Sequence, residues 1–168
     1  MIPGPTRNAR VPSASPTLEG ARVNLRAATA ADATALREIS FYDGVAATSE
    51  DEVRAHLQRI TADQARGETV HWAIEDTRSA RLAGTVGFYR GFPGGVGEIG
   101  YVLRPAYRGR GLMTEAVGLA VAYGFEVLGL RAVVAHTDAA NRTSIAVLER
   151  CGFALVAVEG AQRTYERR

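Results

Sequence analysis

The chain has 168 residues, of which 46% are hydrophobic and 23% are charged, as expected for a single folded domain. Its formal net charge is only +2, so a general nucleic-acid binder is not expected. All 20 of its basic residues are arginine. The lack of lysine excludes a lysine Schiff base and a phosphate loop that ends in Gly-Lys-Ser or Gly-Lys-Thr.

Several features of the sequence bear on the compartment. No apolar run is long enough for a membrane span, and the start Met1-Ile2-Pro3-Gly4 lacks the basic and apolar regions of a signal peptide. Cys151 is the single cysteine, so it has no internal disulfide partner. We therefore expect a cytoplasmic protein that does not partner a membrane.

The first residues differ in character from the rest of the chain. Residues 1–17 carry four prolines among small and polar residues, and we predict that they form a flexible N-terminal tail. Residues 18–168 are predicted to form one domain, because the chain has the length of a single domain.

The elements of this domain follow in chain order. Thr29 and Ser49 are the predicted N-caps of its first two helices, and Glu52 completes a capping box with Ser49. Strands are predicted at 23–26, 71–75, 82–89, 97–103, 132–137, 153–158 and 161–165. Helices are predicted at 30–40, 49–66, 111–128 and 143–150. This order predicts an α+β fold in three layers with a mixed sheet.

The most informative segment is Arg108-Gly109-Arg110-Gly111, which joins a predicted strand to a predicted helix. The first N–H groups of a helix lack partners and carry a partial positive charge. Glycine lets this backbone approach a phosphate closely, and arginine adds forked donors. The segment therefore predicts an anion site, although the loop alone is equally consistent with a plain turn that carries solvated arginines.

This segment and two others carry a resemblance to a known family. Arg108-Gly109-Arg110-Gly111-Leu112-Met113 resembles motif A of the GNAT N-acetyltransferases, Gln/Arg-x-x-Gly-x-Gly/Ala, with Met113 where many members carry Gly or Ala. Thr114-Glu115-Ala116 is similar to the RimJ/RimL subgroup, the ribosomal-protein N-terminal acetyltransferases. Asn141-Arg142-Thr143-Ser144 and Gly152-Phe153 look like the C-terminal CoA-binding element of the family. The resemblance extends over about residues 18–168.

The resemblance implies a fold and a cosubstrate. The fold is a mixed, mostly antiparallel seven-stranded sheet flanked by four helices, which splays open between the strands at 97–103 and 132–137. The cosubstrate is acetyl-CoA, and no metal is implied. Backbone groups of Tyr101, Val102 and Leu103 would pair with the pantetheine arm as an added strand does. The other implied CoA contacts are Arg108, Gly109, Arg110, Gly111, Leu112, Met113, Thr114, Asn141 and Ser144.

The implied chemistry is direct attack of a neutral amine on the thioester. Glu98 is the first candidate for the base, directly or through water, His136 is the second, and a solvent-facing strand glutamate is the plain alternative. In an extended strand Glu98, Gly100 and Val102 share one face, and Gly100 would leave space for a substrate beside Glu98. Ser144 or a water is the candidate donor to the leaving thiolate.

Two positions argue against a tyrosine donor to the thiolate and against a covalent intermediate. Leu148 stands where many family members carry the tyrosine that serves the leaving thiolate. Cys151 is expected to be a buried packing residue, so a route through an acetyl-cysteine is not expected. Asn141 also has a plain alternative role, as the N-cap of the helix that follows it.

The acceptor is left open by the sequence. It is a primary amine, either a protein N-terminus or a small molecule, and the protein itself is a monomer or a homodimer. The helices at 30–40 and 50–66 and the loop at 91–96 are expected to form its pocket, with Phe41, Tyr42, Trp72 and Phe92 as candidate lining residues. The alternatives to an enzyme are a non-catalytic CoA-binding sensor or regulatory domain and a protein-binding module.

Overall fold

A computed structural model describes residues 11–39 and 46–168 of the chain. Its strands within these ranges are β1 (Leu18–Glu19), β2 (Val23–Arg26), β3 (Val70–Asp76), β4 (Arg81–Tyr89), β5 (Val96–Leu103), β6 (Ala132–Asp138), β7 (Ala154–Glu159) and β8 (Gln162–Arg167). Its α-helices are α1 (Ala33–Leu36), α2 (Glu50–Ala65), α3 (Leu112–Glu126) and α4 (Arg142–Arg150).

The strands form one mixed sheet in the order β1-β2-β3-β4-β5-β6-β8-β7. Only the β5–β6 pair is parallel; the other described pairs are antiparallel. The predicted α+β fold is therefore confirmed. The sheet has one strand more than the seven predicted, because the short β1 pairs with β2 through Leu18 and Glu19.

Helices cover both faces of the sheet. Successive side chains of a strand alternate between these faces, so the strands contribute to two hydrophobic cores. On β3, Trp72 and Ile74 join the larger core with α3 and α4, whereas Ala73 joins the smaller core with α1 and α2. On β5, Tyr101 packs against the larger core and Val102 against the smaller one. The two faces of β5 therefore have different neighbours.

The first two helices differ in part from their predictions. The helix predicted at 30–40 is a 3₁₀ turn (Ala30–Asp32) followed by the short α1, and Ser40 lies outside the described residues. The Asp32 carboxylate explains the tight turn, because it accepts from the Thr29 N–H and, at 2.8 and 2.9 Å, from the Arg26 guanidinium.

The start of α2 is capped as predicted on one side only. The Ser49 hydroxyl accepts from the Glu52 N–H at 3.2 Å, as in a capping box. The Glu52 carboxylate, however, accepts from the N–H and hydroxyl of Thr48 rather than from the N–H of Ser49. Thr48, the residue before the N-cap, thus donates to Glu52 the hydrogen bond that the N-cap N–H donates in a capping box.

The N-terminal segment corrects part of the predicted tail, which was expected to cover 1–17. The Ser15 hydroxyl donates to the His71 carbonyl at 2.6 Å, and the Trp72 indole N–H donates to the Pro16 carbonyl at 2.9 Å. Both partners lie on β3, so the end of the segment is fixed to the sheet. In the ranges that the structure describes, no helix is both long and apolar enough to cross a bilayer.

Candidate active site

The sheet opens where β5 and β6 part. The two strands pair only at their starts, through Val96↔Ala132, Gly97↔Val133 and Glu98↔Val134. Beyond Glu98, β5 continues to Leu103 beside β4, while β6 continues to Asp138 beside β8. The gap implied by the family resemblance is therefore present, and an extended ligand can add to the edge of β5 that faces it.

The loop before α3 lies next to the end of β5 and is shaped by glycine. Gly109 and Gly111 both have φ of +72°, a left-handed conformation that L side chains rarely adopt. Gly111 is the N-cap of α3, and the space where a Gly109 side chain would lie is open. This exposed backbone leads directly into the unpaired N–H groups of the first helical turn.

The first turn of α3 is fixed by its apolar side chains. Leu112 and Met113 are buried in the larger core. Because their side chains are held there, the N–H groups of Leu112, Met113 and Thr114 keep a defined direction toward any anion at the helix start. The sequence places these three residues correctly at the start of the helix, and their contact with CoA stays a prediction.

The two arginines of the loop have different partners. Arg110 donates to the Asp76 carboxylate at 2.9 Å, and its guanidinium lies 5.6 Å from the centre of the Tyr107 ring. Arg108 donates to the Leu103 carbonyl at 3.2 and 3.3 Å and is otherwise exposed. The Arg110 side chain therefore joins the loop to β3, and the Arg108 side chain lies at the end of the gap.

A third arginine, which the sequence did not indicate, lies at the loop. Arg22, between β1 and β2, donates to the Arg110 carbonyl at 3.2 Å, and its backbone N–H donates to the Glu115 carboxylate at 3.0 Å. Its Nη1 lies 2.9 Å from the position that a Cβ on Gly111 would take. These partners are about ninety residues away in sequence, and no local pattern signals the contact.

Glu98 lies on the face of the sheet that carries α1 and α2. Its carboxylate is 3.5 Å from the Arg90 guanidinium. Arg90 has φ of +66°, which for a residue with a side chain marks local strain beside the gap. Glu98 is thus partly exposed and paired with a cation.

The space expected beside Glu98 is filled, which corrects the prediction made from Gly100. A Cβ on Gly100 would lie 3.0 Å from the ring of Tyr89, the residue that pairs with Glu98 across β4 and β5. The missing side chain at Gly100 therefore admits the tyrosine ring rather than a substrate.

A cavity of about 190 Å³ lies on the same face. His71 lines it, and the His71 ring lies 6.2 Å from the ring of Tyr89, the residue that pairs with Glu98. Burial lowers the pKa of His71 to about 4, so its imidazole is neutral near pH 7. The cavity is lined by Ser13, Ala14, Ser15, Ala27, Ala28, Leu57, Ile60, Thr61, Gln64 and His71.

The candidate aromatic lining of the acceptor pocket is only partly described. Trp72 is fully buried and stacks edge-on against Tyr123 of α3 at 5.3 Å, so it belongs to the larger core and not to a pocket. Phe92 packs against Phe88 at 6.1 Å in the same core. Phe41 and Tyr42 lie outside the described residues.

On the face of the sheet that carries α3 and α4, a side chain of β5 contacts α4 across the gap. The Tyr101 and Ser144 hydroxyls lie 2.9 Å apart. Burial raises the pKa of Tyr101 to about 12, so its phenol stays protonated at neutral pH. Asn141 accepts from the Ser144 N–H at 3.1 Å, so the cap role predicted as its plain alternative is present.

The remaining candidates have structural partners. His136 is exposed on β6, and its Nδ1 lies 3.0 Å from the Thr164 hydroxyl on β8. Cys151 is buried at the end of α4, its thiol donates to the Thr114 carbonyl at 3.4 Å, and burial raises its pKa. The expectation that Cys151 packs in the core is confirmed.

Comparison with known proteins agrees with this geometry. Residues 22–154 match the acetyltransferase (GNAT) domain. Two Bacillus subtilis (strain 168) proteins are similar: the probable N-acetyltransferase YjcK is 39% identical over 106 residues, and the uncharacterized N-acetyltransferase YoaA is 30% identical over 158 residues. The alignments cover 60% of this chain and 59% of YjcK, and 89% of this chain and 88% of YoaA.

A solved structure with the same fold contains coenzyme A. RimL, a ribosomal α-N-protein acetyltransferase in complex with coenzyme A, superimposes with a TM-score of 0.77 at 21% identity. The match covers 90% of this chain and 97% of that chain. At this identity the likeness shows a shared fold.

Proposed function

The chain belongs to the GNAT acetyltransferase family, and we propose that it transfers the acetyl group of acetyl-CoA to a primary amine by direct attack within a ternary complex. The observation that carries this proposal is the position of the β5–β6 gap, which opens beside the glycine loop at the start of α3. An extended arm and an anionic group can bind there at the same time.

The residues around the gap suit the parts of acetyl-CoA. The free edge of β5 from Ile99 to Leu103 offers backbone groups to the amides of the pantetheine arm. The turn from Gly109 to Gly111 and the first N–H groups of α3 suit the pyrophosphate. Arg108 and Arg22 add positive charge at the same place, whereas Arg110 is held by Asp76.

The two faces of β5 suit the attacking amine on one side and the departing sulfur on the other. Glu98, on the α1–α2 face, accepts the proton of the attacking amine, directly or through water. Ser144, on the α3–α4 face, hydrogen-bonds the departing sulfur. Because Cys151 is buried and its pKa is raised, a direct transfer is favoured over an acetyl-cysteine intermediate.

The acceptor is a primary amine that reaches Glu98 from the α1–α2 side. RimL is named for a protein α-amino group, which makes the N-terminus of a protein one class to test, and a small polyamine is the other. The protein is expected to act in the cytoplasm, where acetyl-CoA and nascent protein N-termini are both present.

Calorimetry followed by CoA-release assays tests the proposal. Acetyl-CoA is expected to bind in the micromolar range, and CoA to compete for the same site. Release of CoA is then measured with peptides that begin with Ser or Ala and with spermidine, and Nα-acetylated peptides serve as matched controls. Binding of CoA without release by any amine would favour a CoA-binding regulatory domain, and the absence of CoA binding would exclude both functions.

A further inference from the structure

The hydrogen bond between Tyr101 and Ser144 joins the two sides of the gap. Tyr101 lies on β5 beyond its last pairing with β6, and Ser144 lies in the first turn of α4, which follows β6. Their hydroxyl oxygens are 2.9 Å apart, and the Tyr101 hydroxyl is also 3.4 Å from the Ser144 carbonyl. A side chain from one wall of the gap is therefore bonded to a hydroxyl on the other wall.

The surroundings of the Tyr101 phenol keep it protonated, so it can donate in this bond. Tyr101 packs against the larger core, and its hydroxyl keeps its proton at neutral pH. At 2.9 Å either hydroxyl can be the donor, and we take Tyr101 as the donor to the Ser144 hydroxyl oxygen, the nearer of its two acceptors. The Asn141 side chain accepts from the Ser144 backbone N–H at 3.1 Å and holds the start of α4, and with Tyr101 as the donor the Ser144 proton is left to point at a ligand in the gap.

We propose that Tyr101 is a positioning residue that directs the Ser144 proton at the departing sulfur of CoA. This inference rests on the proposed function. As the new C–N bond forms and the C–S bond breaks, the Tyr101–Ser144–sulfur chain of hydrogen bonds stabilises the thiolate. The amine proton goes to Glu98 or water, and the thiolate takes its final proton from water, so neither hydroxyl is consumed.

This arrangement explains how the departing thiolate is stabilised although position 148 is leucine. Leu148 is fully buried and has no donor, whereas Ser144, on the same helix, brings a hydroxyl to Tyr101 in the gap. The phenol that supports the sulfur comes from β5 instead. Cys151 is the other titratable group that influences Tyr101, and its thiol is turned to the Thr114 carbonyl.

The thiol pKa of bound CoA tests the inference without the need for an acceptor. Enzyme is held in excess over CoA, and the rate of alkylation of the CoA thiol by iodoacetamide is measured from pH 6 to 10. Mass detection of the alkylated CoA separates this reaction from alkylation of Cys151. Tyr101→Phe, Ser144→Ala and the double variant are compared with wild type. Tyr123→Phe removes a core phenol next to Trp72 and serves as the matched control.

In the wild type the thiol pKa of bound CoA is expected to lie about one unit below that of free CoA, because hydrogen bonds favour the charged form. Tyr101→Phe and Ser144→Ala should each remove most of this shift. The double variant should match Ser144→Ala, since Tyr101 acts through Ser144. Tyr123→Phe should match the wild type. Calorimetry gives the CoA affinity of each variant, and therefore the excess of enzyme that keeps CoA bound throughout its titration.

Two results would overturn the inference while leaving the proposed function intact: an unchanged thiol pKa in Tyr101→Phe, or additive shifts from the two single variants. If wild-type enzyme binds no CoA, the inference and the proposed function both fail, and calorimetry shows this before the titration begins.

Discussion

The Arg110 guanidinium donates to the Asp76 carboxylate at 2.9 Å, and this bond connects the glycine loop before α3 to the end of β3. Asp76 is almost fully buried, with an exposed side-chain fraction of 3%, and it also accepts from the Arg78 N–H and the Ser79 hydroxyl. Arg110 is thus a structural support of the glycine loop.

The first prediction is that the two loop arginines have separable effects. Arg108→Ala should raise the dissociation constant of CoA about tenfold, because an exposed charge-assisted contact to phosphate is lost, and added salt should shrink the difference. Arg110→Ala should leave this constant within about twofold and lower the free energy of unfolding by about 1–2 kcal/mol, because a buried carboxylate loses a donor. Calorimetry and urea unfolding measure the two effects. Equal losses of CoA affinity in both variants would contradict this assignment.

The second prediction concerns acid stability. Burial acts to raise the pKa of Asp76, but hydrogen bonds from Arg78, Arg110 and Ser79 outweigh it and hold the pKa below the usual value of an aspartate. The unfolded chain therefore takes up the proton first, and the stability that Asp76 contributes is present above about pH 4 and is lost as the pH falls through its folded pKa.

Asp76→Asn should therefore flatten the loss of melting temperature between about pH 5 and pH 3, while lowering the melting temperature at neutral pH. The control is Asp51→Asn, because the Asp51 side chain is 96% exposed. If the melting temperatures of Asp76→Asn and wild type run parallel across this range, Asp76 does not contribute to the acid dependence.

The loop at Gly109 and Gly111 shows which structural features the local sequence predicts and which it does not. The spacing of glycine and arginine before an apolar helix predicts a strand–loop–helix unit, and the structure has φ of +72° at both glycines, where only glycine fits without strain. The partners of the arginines were not predictable, because Asp76 and Arg22 come from other parts of the chain and approach only once the sheet has formed.

The two faces of β5 likewise show that local geometry is predictable and long-range neighbours are not. Alternation along the strand correctly separates Glu98 and Val102 from Tyr101, since this follows from strand geometry alone. The identity of the neighbours depends on register: Tyr89 fills the space over Gly100, and Ser144 meets Tyr101 across 43 residues of sequence. Long-range pairing of this kind has no signature in a single sequence.

The third prediction is that a side chain at position 111 weakens CoA binding. In Gly111→Val the left-handed backbone costs about 1–2 kcal/mol in the folded state, and the added atoms displace the Arg22 guanidinium. The loop then moves away from its anion-binding shape, and the affinity for CoA should fall by about 1–3 kcal/mol. Calorimetry on the folded fraction measures this loss.

Gly118 offers a matched control for this substitution within the same helix. No atom lies within 4 Å of the position that its Cβ would take. Gly118→Ala should therefore leave CoA affinity unchanged and raise the free energy of unfolding by about 0.5–1 kcal/mol. Normal CoA affinity in a folded Gly111→Val protein would show that the phosphate binds elsewhere.

The last prediction concerns the base. Glu98→Gln should lower kcat/KM for the best amine of the CoA-release panel by roughly 10²–10⁴, the range of a positioned general base. CoA affinity should stay near wild type, because the glycine loop before α3 is untouched. The loss should shrink as the pH rises, since the free amine becomes more abundant and needs a base less. Arg90→Gln removes the cation that lies 3.5 Å from Glu98 but keeps the carboxylate, so its kcat/KM should change by less than about tenfold. His136→Ala should have a similarly small effect, because its ring bonds to Thr164 on β8. If Glu98→Gln keeps more than half of the wild-type activity at neutral pH, the role passes to His136 or to water. If Arg90→Gln is as impaired as Glu98→Gln, the ion pair rather than proton transfer accounts for the loss.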